Sequence, residues 1–407
     1  YNPFAMQPAD PDRIDLGDYG VTGLNLLLGH EKAAYELRDS AALETKLKRH
    51  CAAVDRIFGE LGDLSRVHLV QELGGFLSVL AAFYVARKHG VDNWFIEPSF
   101  FRGRVFFTPN SFRAPAIDGP HGEHVSAEVA AVLDQAVAQQ SIVIPAKDRH
   151  HYRGVLHKIL DTRHIRRFVE KSVDKHLLGK REEFGHVGGH VRRHLRMLAT
   201  SLRLRRRYSE LLPGERFIYY PLHVPADFAL TVRSPEYLDQ YALIDFLCRA
   251  VPAGYRVAIK EHPAMIGAVA FSRMQELLAR HDNLVLLNPG LRNYAVMHAA
   301  SAVVTVNSKS GAEALLLGKP VYVLGDAFYG ASDLVQRVDR LGNLPARLAQ
   351  VASGEVAAID ARSVRAYFQR VFDRSFPGEL YQTSTENVDK FSSSLQAALR
   401  SADFVTR

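Results

Sequence analysis

Between Arg216 and Gly325 short apolar runs alternate with stretches of helical periodicity, and nothing else in the chain constrains its fold as much. Arg216 to Leu222, Arg256 to Lys260, Leu284 to Leu287 and Val303 to Val306 are each brief and rich in β-branched or aromatic residues. Runs of this kind, apolar on both sides, are strands of a parallel sheet covered on both faces. The segments between them, Pro235 to Val251, Phe271 to His281 and Tyr294 to Ala300, have the apolar spacing of helices. The alternation implies a doubly wound α/β sheet, in which ligands bind beyond the carboxyl ends of the strands.

Two of those strand ends carry polar clusters. The run Val303-Val304-Thr305-Val306 enters Asn307-Ser308-Lys309-Ser310-Gly311, then a helical stretch to Gly318 and a further strand from Pro320. Such a turn directs backbone N–H groups and small hydroxyls toward a ligand at a helix N-terminus, which suits a phosphate. A structural reading stands beside it: Ser310 with Glu313 matches a capping box, and Gly318 before Pro320 a helix stop. The second cluster, Lys260-Glu261-His262-Pro263, lies where the Arg256 strand emerges. Together the two ends read as a phosphate or nucleotide pocket.

The N-terminal half repeats the strand, helix, strand pattern. Glu31 to Leu61 reads as one or two amphipathic helices, Val67 to Glu72 as a strand, Phe76 to His89 as a helix and Asn93 to Ile96 as a second strand. This βαβ unit predicts a parallel sheet here too. Glu72 and Glu97 end its strands, where a carboxylate can act as general base on a sugar hydroxyl. For Glu97 the stronger expectation is an ion pair with Arg102 or Arg104 of the loop Ser99 to Arg104. Val125 to Gln139 is a plain amphipathic helix.

Residues 149–207 are strongly basic, and they read as helical pieces broken at Gly179, Gly185 and Gly188-Gly189. His186-Val187-Gly188-Gly189-His190 follows no strand and has the wrong glycine spacing for a dinucleotide fingerprint, so it reads as loop. No nucleic-acid module is recognisable and aromatic interleaving is slight, so no nucleic acid is expected as partner. An anionic membrane surface or a phosphate-bearing acceptor fits better, with a merely solvated basic face as the plain alternative.

With 407 residues, 47% hydrophobic and 23% charged, the chain can bury two cores. Pro213-Gly214 marks the expected boundary between them. Cys51 and Cys248, the only cysteines, are too few for a thiolate metal cluster or a disulfide framework, which points to a reducing compartment with both as small core residues. The eighteen His are scattered without a His-Glu-x-x-His arrangement, so no metal site is expected. No apolar run approaches the roughly 20 residues that span a bilayer, which predicts a soluble or peripheral protein. The chain begins at Tyr1 rather than Met, which leaves its native start and any targeting segment open.

Several segments carry a resemblance. Tyr219-Tyr220-Pro221-Leu222-His223, Arg233 to Gln240, Lys260-Glu261-His262-Pro263, Asn307 to Pro320 and Gly325-Asp326-Ala327-Phe328-Tyr329 resemble the capsule polysaccharide biosynthesis glycosyltransferases. That group includes bacterial retaining β-Kdo transferases that use CMP-Kdo. The resemblance is concentrated between Tyr219 and Tyr329, with weaker echoes at Glu72, at Glu97 to Arg104 and at Pro377-Gly378-Glu379-Leu380-Tyr381. It implies a GT-B-like fold of two Rossmann-like doubly wound domains facing a cleft. The expected divisions are 1–212 for the acceptor domain, 213–375 for the CMP-binding domain and 376–407 for a helix crossing back. The implied activity moves Kdo from CMP-Kdo to a glycan or lipid-linked glycan in capsule or lipopolysaccharide synthesis. No cofactor or metal is implied, and the implied place is cytoplasmic, peripheral on the inner face of the inner membrane.

The resemblance also implies roles. His262 contacts the donor phosphate and stabilises the leaving group, and Lys260 adds positive charge beside it. Ser308 and Ser310, within the turn from Asn307 to Gly311, donate hydroxyls to the phosphate or the sugar carboxylate, while Glu313 reaches the ribose. Asp227, in the loop after the first strand, is the candidate nucleophile, forming a covalent adduct that the acceptor displaces with retention. Relatives usually follow this acid with a small residue and a Ser, whereas Phe228-Ala229-Leu230 stand here, and a loop Asp also serves as a turn former. Glu72 is the candidate acceptor base. Transfer of sialic acid from CMP-sialic acid is a close alternative, although Lys309 separates the serines that sialyltransferases hold adjacent. Polyol-phosphate transfer from a CDP donor is more distant, and a non-catalytic basic module at a membrane surface is an alternative from another class.

Overall fold

Buried apolar strands need helices on both faces, and the chain supplies them in two successive sheets. The structure, a computed structural model, describes residues 11–117, 124–140, 170, 173, 187–211 and 213–403. Short helices α1 (Leu24–Leu27) and α2 (Gly29–Tyr35) lead to α3 (Ser40–Leu61). Asp39 starts α3 by accepting a hydrogen bond from Ala42 N at 3.0 Å, a side-chain N-cap. After β1 (His68–Glu72), helix α4 (Leu77–Lys88) packs on α3, burying Leu43, Leu47 and Cys51 against Leu77, Leu80, Ala81 and Val85.

β2 (Asp92–Pro98) then pairs in parallel with β1, as the βαβ pattern predicts. The rest of this sheet is not parallel: β3 (Arg104–Pro109) runs antiparallel to β2. The connection from Ser99 to Gly103 is the reason, because a parallel crossover needs a dozen or so residues. Gly103, at φ 71°, makes the turn.

α5 (Ala127–Gln139) is capped by Ser126 and buries Val129, Leu133 and Ala136. α6 (Val187–Leu204) corrects the sequence reading, since Gly188 and Gly189 lie inside its first turn rather than in a loop or a break. The first N–H groups of a helix need no intrahelical partner. Each glycine there costs about 1 kcal/mol, and burial of Met197 and Leu204 further along outweighs that. The expected breaks at Gly179 and Gly185, His186, and most of the basic region lie outside the described residues.

The second sheet follows the alternation read from sequence. Its elements are β4 (Phe217–Pro221), α7 (Phe228–Thr231), α8 (Gln240–Ala250), β5 (Arg256–Lys260), α9 (Phe271–Arg280), β6 (Leu284–Leu286), α10 (Asn293–Ala299), β7 (Ala302–Thr305), α11 (Lys309–Leu316), β8 (Val321–Val323) and β9 (Gln336–Arg337). The strand order is β6-β5-β4-β7-β8-β9 and every pair is parallel. Alternate residues serve opposite faces: Phe217, Tyr219, Ala258 and Val303 enter one core, and Ile218, Tyr220, Val257 and Val304 the other. The single helix expected from Pro235 is split into a turn at Pro235–Tyr237 and α8, because the Asp239 carboxylate caps Tyr241 N and Ala242 N and restarts the helix.

After α12 (Leu344–Ser353) and α13 (Ala361–Asp373) the chain returns to the first sheet. β10 (Phe376–Pro377) pairs antiparallel with β3, and α14 (Thr385–Asp403) packs on that edge, with Phe391 and Phe107 at 5.7 Å between ring centroids. The two sheets also share a core. Phe100 and Phe101 pack against Phe368 and Phe372 of α13, at 4.6 and 5.2 Å respectively. Each such ring contributes roughly 1.5–3 kcal/mol by burial.

One close approach ties α6 to the loop after β5. Gly267 has φ 81°, and a Cβ there would come within 2.0 Å of the Met197 carbonyl oxygen. Gly267→Ala should therefore lower unfolding free energy by roughly 1–3 kcal/mol from backbone strain alone, with more from the clash, measured as the shift in the denaturant midpoint.

Candidate functional site

The order β6-β5-β4-β7 places the chain reversal between β4 and β7, where connections depart to opposite faces and leave a crevice at the carboxyl ends. A cavity of about 470 Å³ fills that crevice, lined by Asp227, Lys260, His262, Asn307, Ser308, Ser310 and Glu313 from the second sheet and by Glu97 from the first. All eight were singled out from sequence and meet in one place. Gly311 and Glu72 do not join them at the cavity surface.

His262 opens a turn of 3-10 helix at Pro263–Met265. Its Nδ1 accepts a hydrogen bond from Ala264 N at 3.2 Å, so in the neutral ring the proton sits on Nε2. Pro263 lacks an N–H and fits the first position of the turn. Ser308, not Ser310, caps α11: its Oγ accepts from Ser310 N at 3.2 Å. The capping box expected from Ser310 and Glu313 does not form, because the helix begins two residues earlier, at Lys309. Ser310 Oγ instead accepts from Asn293 Nδ2 at 3.0 Å. Gly311 serves the turn from below, since a Cβ there would stand 2.3 Å from the Tyr329 hydroxyl, which donates to Ser308 O.

Glu313 is buried beneath the serines. Desolvation pushes its carboxyl up to about 7, against the opposing pull of the Asn293 hydrogen bond and the charges of Lys309 and Lys260. Lys260 is also buried and donates to Leu291 O at 3.0 Å. Burial lowers it to about 8, partly offset by Glu313. Asn293, which sequence reading missed, holds this group together: its Oδ1 accepts from the Tyr219 hydroxyl at 2.7 Å, and its Nδ2 serves Ser310 and Glu313. Its only sequence signal is an Asn at the start of the helix that follows the third strand.

Asp227 caps α7 through Oδ1, which accepts from Ala229 N at 3.0 Å, and it also lines the cavity. The turn-forming role and exposure to the cavity coexist. Asn307 Nδ2 donates to Ala229 O at 2.7 Å and so steadies the same short helix. His223, at the end of β4, is buried and held neutral, its pKa lowered to about 4 by desolvation. Gln240 grips its backbone at both N and O.

Glu97 is paired, but not with Arg102 or Arg104. Its carboxylate forms a two-pronged pair with Arg233, at 3.0 and 2.5 Å, while Arg104 donates to Ser375 Oγ and Phe372 O. The end of β2 faces the second sheet, so the partner comes from there rather than from the neighbouring loop. Glu72, at the end of β1, accepts a hydrogen bond from the Tyr381 hydroxyl. Among the described residues, no three His, Cys, Asp or Glu side chains are grouped to hold a metal ion.

A family model described as capsule polysaccharide biosynthesis protein matches residues 78–338. Protein FixF of Sinorhizobium fredii is 37% identical over 142 residues, which are 34% of this chain and 33% of that protein. The match therefore spans a third of that relative's length. Among solved structures, the chain is similar to the β-Kdo 2,7 transferase of Thermosulfurimonas dismutans KpsC, with 15% identity, TM-score 0.38 and coverage of 78% of this chain and 79% of that one. For the β-Kdo 2,4 transferase of the same protein the values are 12%, 0.35, 73% and 78%. For the UDP-GlcNAc 2-epimerase of Neisseria meningitidis they are 10%, 0.29, 83% and 82%.

The buried pair gives stability a pH signature. Glu313 keeps its proton in the folded protein between its ordinary 4.5 and about 7, where the unfolded chain has lost it. Folded protein then binds more protons than unfolded, and stability falls as pH rises through that window. Lys260 acts oppositely, adding stability as pH rises from about 8 to its ordinary 10.5. Melting temperatures of the wild type should fall across the lower window, and Glu313→Gln should flatten that fall.

Proposed function

The chain belongs to the capsule polysaccharide biosynthesis protein family, and from that premise we propose that it is a glycosyltransferase moving Kdo from CMP-Kdo to a glycan or lipid-linked glycan of the bacterial surface. The observation that carries this reading is the meeting of Asp227, His262, Ser308 and Ser310 in one cavity at the switch point. In the proposed reaction the Asp227 carboxylate attacks the anomeric carbon of Kdo. The bond to the phosphate oxygen breaks, and CMP leaves with the electron pair. His262 Nε2–H, the Ser308 and Ser310 hydroxyls and the start of α11 receive the phosphate charge, with Lys260 behind them. The acceptor hydroxyl then displaces Asp227 and loses its proton to a base, so two displacements give net retention. Protein groups meet the leaving-group charge in this scheme, without a metal or a cofactor. Glu313 is assigned to the ribose and Asn307 to holding the turn. Glu72 as acceptor base rests on resemblance alone.

Attachment to the inner face of the inner membrane belongs to the same proposal. Helix α6 exposes Val191, Leu195 and Leu202 along one stripe, with Arg192, Arg196 and Arg203 on the adjoining one and Arg205 to Arg207 following. An apolar stripe flanked by arginine suits an anionic bilayer surface. The end of this basic segment lies near the donor cavity, since Tyr208 donates to Glu261 beside His262 at 2.6 Å. No helix among the described residues is long and apolar enough to cross a membrane. Vesicles containing an anionic lipid should sediment the protein where neutral vesicles do not, and Leu195→Asp with Leu202→Asp should abolish the difference.

The donor is tested by calorimetric titration with CMP, using UMP and GDP as controls. CMP alone should bind, and His262→Ala should weaken it about ten- to a hundredfold, the effect of losing a hydrogen bond to a charged group. CMP-Kdo should then leave a Kdo adduct on Asp227, seen by mass spectrometry and absent from Asp227→Ala. Turnover of CMP-sialic acid in place of CMP-Kdo would move the assignment to sialyl transfer. Binding of UMP or GDP instead would sink both CMP donors, and no nucleotide binding at all would leave the membrane-surface module.

A further inference from the structure

The short helix α7 that Asp227 caps is gripped from the other domain on both sides. On one side stands Arg233, paired with Glu97 and donating to Phe112 O at 2.7 Å. On the other stands Thr231, whose hydroxyl donates to Asp227 O at 3.1 Å. Thr231 has one hydroxyl proton, so the contact between Thr231 Oγ1 and His30 Nδ1, at 2.8 Å, has His30 as donor. Both residues are buried. Desolvation lowers the His30 pKa to about 4 and keeps the ring neutral, so this contact places its single ring proton on Nδ1.

His30 is itself fixed by its own domain. Next to it, Glu31 accepts from Lys46 Nζ at 2.9 Å and from Leu77 N at 3.0 Å, which fastens α2 to the start of α4. The ring lies edge-on to Phe76, at 4.7 Å between centroids. It also sits in a slot that only glycine leaves open, since a Cβ on Gly75 would come within 2.4 Å of His30 Cγ. A donor with a fixed origin thus reaches the carbonyl of the very residue proposed to attack the sugar, through one intervening hydroxyl.

We propose that His30 is a positioning residue for Asp227: through Thr231 it sets the orientation of the cap of α7, so that the first domain contributes to the attack geometry of a nucleophile carried by the second. The proposal rests on the reading of Asp227 as nucleophile. A misplacement near 1 Å at a reacting group can cost on the order of a hundredfold in rate. Neither His30 nor Thr231 lines the donor cavity, so donor affinity should not depend on their contact.

The test is single-turnover formation of the Asp227 adduct at saturating CMP-Kdo, read by mass spectrometry beside CMP affinity by calorimetry. Thr231→Val keeps the volume and removes the hydroxyl. Its adduct rate should fall about ten- to a hundredfold with CMP affinity unchanged, and Thr231→Ser should restore it. His30→Leu should fall likewise, whereas His30→Asn keeps a donor and should stay near wild type. If His30→Leu fails to fold, Thr231→Val decides. Adduct rates within about twofold of wild type in the folded variants would overturn the proposal. So would a parallel loss of CMP affinity, which would make the contact merely structural. A wild-type protein that forms no adduct would remove the nucleophile reading first and the proposal with it; wild-type adduct with undiminished variants removes the proposal alone.

Discussion

Burial of β4 between β5 and β7 is the constraint on which the rest depends. A strand covered on both faces satisfies its polar backbone only through its neighbours, and the helical crossovers between the three strands set them parallel. Their carboxyl ends then open side by side. The residues proposed to meet the donor are held at those ends: His262 after β5, the Ser308 cap after β7, and Asp227 after β4. Each of the three is a helix or turn cap, so local backbone economy and site geometry are met by the same side chains.

The first domain closes this arrangement through aromatic burial and directed polar contacts. Phe100 and Phe101 pack on α13, while Glu97 pairs with Arg233, Ser99 O accepts from Lys309 Nζ at 3.0 Å, and Ala114 N donates to Asp326 Oδ2 at 2.7 Å. Removing one partner of a buried pair such as Glu97 with Arg233 leaves an uncompensated charge, at a cost of roughly 3–5 kcal/mol. These contacts border the cavity, so the joint between domains and the candidate site are one region.

Beneath the serines, burial works against charge. Glu313 and Lys260 are both shifted toward their neutral forms, and each is partly restrained by the other. Asn293 bridges Tyr219, Ser310 and Glu313, which holds the Ser310 hydroxyl at a set position. A turn built this way is pre-organised by its own hydrogen bonds.

The sequence by itself determined the second sheet, because strand and helix periodicities are local, and it determined which strand ends carry polar clusters. It also marked His262 and Ser308 as polar groups at strand ends, and Asp227 through the family resemblance. Only the tertiary structure decided how distant segments meet. Glu97 found Arg233, which lies 136 residues away, rather than the adjacent Arg102 or Arg104. The hairpin after β2 made the first sheet mixed rather than parallel, and Ser308 took the cap that Ser310 with Glu313 had suggested. Gly188 and Gly189 entered a helix because its later apolar residues found a surface to cover. Asn293 and His30 left no clear mark in the sequence, since their roles consist of partners brought from other elements. Local pattern fixes an element and its polar end; which groups that end meets depends on packing, which no stretch of sequence contains.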